Sequence, residues 1–181
     1  MNKLDTRSRI QDVALQMFID KGYEATSLRE IAEELGVTKA ALYYHFDTKE
    51  KIVTSLIDDR VARLEELVEW GRTLPQTPEG REEFIRRYAA ELNQGRHHDT
   101  MRFFERNQTA LRDHPSSERM RNLMITLIDL LSEKDAPLSE KLKHALAIFA
   151  VHATWFVLRD DNVTDEERQA AGLTVALELV S

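Results

Sequence analysis

The sequence predicts an all-α fold: an N-terminal three-helix helix-turn-helix domain followed by a C-terminal helical bundle, about nine helices, in a dimeric protein. Three observations carry the fold class. Apolar residues recur at helical spacing along nearly the whole chain. Six Gly and four Pro in 181 residues are too few for a turn-rich sheet protein. No strand-like alternation persists, and no repeat or low-complexity segment interrupts the pattern.

Each helix has a local justification. Ile10, Val13, Ala14, Met17 and Phe18 mark the apolar face of the first, with Gly22 just beyond its end. Ser27 and Glu30 have capping-box spacing and open a second helix that turns Ile31, Ala32 and Leu35 inward before Gly36 ends it. Thr38 caps a short third helix. Asp47 and Glu50 form another predicted box, opening a long fourth helix through Leu56, Val61, Leu64, Leu67 and Val68. "GRTLPQTPEG" (Gly71 to Gly80) is the strongest breaker and the expected domain-scale joint. Further helices are expected over 79–93, 99–112, 116–132, 138–158 and 165–180.

Charge and composition exclude several classes of function. The net charge of −7 argues against broad, nonspecific nucleic-acid binding. It is unevenly spread, because residues 1–53 net −1 and the remainder −6. Without Cys there is no disulfide framework, thiolate zinc site or thiol nucleophile. The first residues are polar, and the longest apolar run, "ALAIFAVHATWFVL", contains a His and is too short to span a bilayer. The expectation is a soluble, cytoplasmic protein with no membrane partner.

"LGVTKAALYYHFDTKEKI" (Leu35 to Ile52) gathers two tyrosines and a histidine after two alanines. The spacing of Ala32, Gly36 and Leu42 suits a helix-turn-helix. With Leu42 at 0° on a wheel of about 100° per residue, Phe46 falls near 40° and His45 near 300°, the inward side. Ala40 falls near 160° and Tyr44 near 200°, with Ala41 and Tyr43 beside them. Small residues let a helix sit deep in a major groove, and an alanine methyl can meet a thymine methyl. Tyrosine hydroxyls reach phosphates or base edges. Lys39 lies in the first turn, where a helix already attracts phosphate, and Lys49 is similarly placed on the next helix. The competing reading packs Tyr43 and Tyr44 against the fourth helix, since two helices joined at a Gly turn also occur in proteins that bind no DNA.

From about Thr6 to Leu56 the chain resembles the N-terminal domain of the TetR (tetracycline-repressor-like) family. The residues that carry the resemblance are "GYEATSLREIAEELGVTKAALYYHFDTKEKI", above all "LYYHF" with Lys49 two residues after Asp47. It implies a DNA-binding domain over 1–53 and a ligand-binding and dimerisation domain over 54–181. It further implies DNA contacts at Arg29, Thr38, Lys39, Ala40, Ala41, Tyr43, Tyr44, His45 and Lys49. Lys39, Ala40 and Ala41 are the expected base readers, whereas Tyr43, Tyr44, His45 and Lys49 are expected on phosphates. His45 is ambiguous, because the wheel turns it partly inward. The implied activity is that of a ligand-responsive repressor that binds a palindromic double-stranded operator and is released by a small organic effector.

In the second part of the chain, the penultimate helix is apolar almost all round, more than one small domain can bury. Leu146, Phe149 and Ala153, with Leu173, Leu177 and Val180 on the last helix, are therefore the expected homodimer interface. Phe103, Phe104, Asn107, His152 and Trp155 are the expected lining of a mostly apolar effector cavity. "RHHD" (Arg96 to Asp99) has a metal-like look, but adjacent histidines on a helix face different ways, and no metal or cofactor is expected. Glu33-Glu34 and Glu65-Glu66 read as solvated faces. Two other classes compete with the regulator. A helical acid/base enzyme lacks a convergent catalytic group, and a helical binding module without ligand sensing would need a solid C-terminal bundle.

Overall fold

A computed structural model describes residues 3–93, 99–100, 103, 115–157 and 162–181; for 3–5, 115–117 and 155–157 only the backbone is described. Eight helices are delimited among these residues, and no strand: α1 (Lys3–Asp20), α2 (Leu28–Leu35), α3 (Lys39–His45), α4 (Lys49–Gly71), α5 (Pro78–Leu92), α6 (Pro115–Leu131), α7 (Leu138–Val157) and α8 (Asp165–Val180). Of the helix expected over 99–112, Asp99, Thr100 and Phe103 are helical, and the rest lies outside the described residues.

The local signals act mostly as their chemistry requires. Ser27 Oγ accepts from the Glu30 N–H at 3.2 Å, and the Glu30 carboxylate accepts from the Ser27 N–H at 2.9 Å. A second box joins Thr164 and Glu167 at the start of α8. The box expected at Asp47 and Glu50 is not the cap of α4. That helix begins at Lys49, so Thr48 is the capping residue, and its Oγ1 accepts from the Lys51 N–H at 3.2 Å. Asp47 instead pairs with the Lys51 ammonium at 2.8 Å. Glu50 accepts from the Tyr23 hydroxyl at 2.9 Å.

The chain divides into two compact units. The first comprises the described residues of Met1–Ala62 and Gly95–Arg119. Its core gathers Ile10, Ala14, Leu15, Phe18, Ile31, Leu42, Phe46, Ile52 and Val53. Gln11 is wholly buried there, which is tolerable because its Nε2 donates to Ser55 Oγ at 2.8 Å and to Asp59 Oδ2 at 2.7 Å. That network ties α1 to α4.

The second unit comprises Arg63–Gln94 and Met120–Ser181. The Gly71–Gly80 segment, expected as a joint between domains, is a corner between α4 and α5 with both flanks in this unit. Breaker residues mark a turn of the chain, and contacts made elsewhere decide where a unit ends. Helices α7 and α8 approach closely at Gly172, where an added Cβ would fall 2.6 Å from Thr154 Cγ2 and 3.0 Å from the Ala150 carbonyl oxygen. Trp70, Phe84 and Tyr88 stack in sequence, and the Tyr88 hydroxyl and His152 Nε2 are hydrogen-bonded at 2.5 Å. No described helix is long and apolar enough to cross a membrane.

Candidate nucleic-acid interface

The turn between α2 and α3 is built from short-range chemistry. Gly36 adopts φ 69°, a left-handed conformation that a side chain would strain. The Gly36 N–H donates to the Glu33 carbonyl at 3.1 Å and the Val37 N–H to the Ala32 carbonyl at 3.0 Å, closing α2. Thr38 Oγ1 accepts from the Ala41 N–H at 3.1 Å and starts α3. Leu42 and Phe46, at 0% and 3% exposure, hold α3 to the core.

The opposite face of α3 is open. Thr38, Lys39, Ala40 and Ala41 are exposed, and Tyr44 is 71% exposed. Tyr44 is therefore not packed against α4. Tyr43 is less open, and the Lys39 ammonium stands 5.2 Å from its ring centroid, a cation–π pairing that holds the lysine along the face. His45 is half-buried with its ring edge-on to Tyr44, at 5.3 Å between centroids.

Two of the expected contacts have other engagements. Arg29 Nε donates to Glu33 at 2.8 Å, and this bond raises the guanidinium pKa. The Arg29 side chain is otherwise exposed. Lys49 Nζ donates to the Tyr23 carbonyl at 2.6 Å and to the Glu24 carbonyl at 3.4 Å, while lying 4.5 Å from the Tyr23 ring centroid. Lys49 thus fastens the start of α4 to the turn after α1. Tyr23 is held from both sides: burial first, and then its bond to Glu50, raise its phenol pKa above the ordinary value. Spacing carries no signal for that clamp, because its partners are backbone carbonyls more than twenty residues away.

Of the residues expected around an effector, the side chains of Phe103 and His152 are described, one in each unit. Phe103 is fully buried in the first unit, its ring centroid 5.5 Å from Phe18 and 5.9 Å from Tyr23. His152 is half-buried in the second unit beside Tyr88. Phe104, Asn107 and the Trp155 side chain lie outside the described residues, as do Arg96, His97 and His98. No grouping of three or more potential metal ligands occurs among the described residues. The second unit instead has a cleft of about 290 Å³ lined by Arg63, Glu66, Leu67, Arg87 and Glu91. Of these charges the sequence reading singles out only Glu66, as part of a solvated helix face.

On α7, Leu138, Leu142, Leu146 and Phe149 form an exposed apolar stripe, with Phe149 60% exposed. Val175 on α8 is exposed, Ala153, Leu173 and Leu177 are half-buried, and Val180 is enclosed in the chain's own core.

Residues 10–56 match the family described as bacterial regulatory proteins, tetR family. The chain is 34% identical over 73 residues to the HTH-type transcriptional repressor KstR2 of Rhodococcus jostii (strain RHA1), covering 38% of this chain and 36% of that protein. It is 37% identical over 75 residues to the HTH-type transcriptional regulator AcrR of Shigella flexneri, covering 41% and 35%. These alignments thus span about a third of the relatives' length. The fold resembles that of Mycobacterium smegmatis AmtR, with a TM-score of 0.74 and 26% identity over 99% of this chain and 86% of that one.

Proposed function

We propose that this chain is a DNA-binding transcriptional regulator of the TetR family, a repressor rather than an enzyme, acting in the cytoplasm. It binds a palindromic operator as a homodimer through residues 1–53. A small effector bound by residues 54–181 releases it. One observation carries the reading: α3 is anchored by Leu42 and Phe46 while its other face offers Lys39, Ala40, Ala41 and Tyr44 to solvent. Two methyl-sized residues leave room for close approach to base edges, and the flanking Tyr43, Tyr44 and Lys39 are long enough to reach phosphates. Arg29 and Thr38 border the same surface. The domain's charge of −1 favours a few local contacts over a broad basic footprint.

Two half-sites about 34–36 Å apart require two recognition helices held in fixed relation, which a dimer supplies. The stripe of Leu138, Leu142, Leu146 and Phe149 suits a second copy of the chain. Helix α4 links the two functions, since it begins beside α3 and continues into the second unit. An effector acts only if it favours one spacing of the recognition helices. Selecting bound fragments from the host genome tests the reading: a palindromic sequence should be enriched by the wild type and lost with Tyr44→Ala. Enrichment of no sequence, or equal enrichment by that variant, would refute it.

A further inference from the structure

We infer that the cleft between α4 and α5 binds a small zwitterion of α-amino-acid size; that this ligand is the effector rests on the proposed effector control. Arg63, Glu66 and Leu67 share one face of α4, and Arg87 and Glu91 share one face of α5. Each helix therefore brings one guanidinium and one carboxylate to the cleft, with buried Leu67 as its apolar floor. The volume, about 290 Å³, lies just below the roughly 300–1,000 Å³ of drug-sized ligand sites, which suits a smaller molecule.

Facing charges of opposite sign ordinarily close on one another, as Arg72 and Glu69 do at 2.7 Å. Among the described residues, none of the four cleft charges has an ion-pair partner. The Arg87 guanidinium is instead drawn over the Trp70 ring, 4.2 Å from its centroid.

The arrangement selects the ligand's chemistry. An apolar molecule would strip water from four charges and pair none of them. A simple anion would meet two carboxylates, and a simple cation two guanidiniums. A molecule carrying both a carboxylate and an ammonium satisfies both kinds of group, the carboxylate on an Arg fork and the ammonium on Glu66 or Glu91.

The test titrates the full chain, carrying Trp155→Phe so that Trp70 reports, with each of the twenty proteinogenic amino acids. For any that binds, the N-acetyl and carboxamide derivatives follow. The expected result is a saturable change in Trp70 fluorescence with at least one amino acid. Either derivative, and either Arg63→Gln or Glu91→Gln, should weaken that binding about tenfold or more, with melting of the free variants unchanged. No response to any amino acid, or equal binding by both variants, overturns the assignment. Operator affinity is measured separately in the same samples. An amino acid that binds through these residues without altering operator affinity upholds the cleft and refutes its role in effector control.

Discussion

Leu42 and Tyr44, two residues apart on α3, should separate stability from DNA binding when each is changed to alanine. Leu42 is wholly buried, so its truncation removes apolar surface and leaves a cavity, at a cost of about 2–5 kcal/mol. For a chain of this size that lowers the melting temperature by about 4–20 °C, at roughly 2–4 °C per kcal/mol. Tyr44 is 71% exposed, leaving less than a third of it covered. A fully buried aromatic removes roughly 150–250 Å² from water, so at about 25 cal/mol per Å² the covered part of Tyr44 contributes at most about 1–2 kcal/mol. Tyr44→Phe isolates the hydroxyl's share of operator binding. It should weaken operator binding by roughly 0.5–1.5 kcal/mol, about 2–13-fold, if that hydroxyl bonds a phosphate or base edge. Thermal melts followed by circular dichroism and operator titration by fluorescence anisotropy measure the two quantities on the same samples. A Tyr44→Ala variant as unstable as Leu42→Ala, or one that binds operator like the wild type, would show that α3 does not present this face to DNA.

Three further outcomes follow from the second unit. Phe149→Glu places a charge in the exposed stripe of α7; light scattering should find a dimer for the wild type and monomer or aggregate for the variant, with operator affinity falling in parallel, and a monomeric wild type or a dimeric variant sinks the interface. Gly172→Ala forces a methyl within 2.6 Å of Thr154 Cγ2 and 3.0 Å of the Ala150 carbonyl oxygen, so α7 and α8 must separate, costing about 1–3 kcal/mol in denaturant titration. His144 is buried with Nδ1 2.9 Å from Ser132 Oγ, and burial first, then nearby Arg81, hold its pKa below 6.5. Its folded form therefore stays neutral where the unfolded chain gains a proton. The contribution is fully present above about pH 6.5 and is lost as pH falls below it, until the folded pKa is passed. The drop in stability between pH 7 and 5 should be shallower in His144→Gln, and an unchanged slope would remove His144 as its source.

Residues within one turn of each other made much of the DNA-facing domain legible. The Ser27–Glu30 box, the left-handed Gly36 and the Thr38 cap depend on backbone groups three or four positions away, and spacing encodes those directly. The wheel separated Leu42 from Tyr44 for the same reason: helix geometry alone decides which side chains point apart. Locality also explains the error at α4. Asp47 and Thr48 are both good caps, and the choice between them depends on whether the helix begins one residue earlier or later.

Tertiary packing decided what depended on distant partners. Lys49 has the sequence position of a phosphate contact, yet its ammonium is held by carbonyls of the turn after α1. Phe103 packs against Phe18 and Tyr23, some eighty residues away in the chain, a contact that no local spacing announces. Arg63, Glu66, Arg87 and Glu91 are indistinguishable in sequence from charges on any solvated helix. They become one cleft only because α4 and α5 lie side by side, and because Trp70 draws Arg87 out of reach of an ion pair. Local hydrogen-bonding rules are written in neighbouring residues. The meeting of two helix faces depends on the whole chain, since the burial that sets it is contributed by residues far apart in sequence.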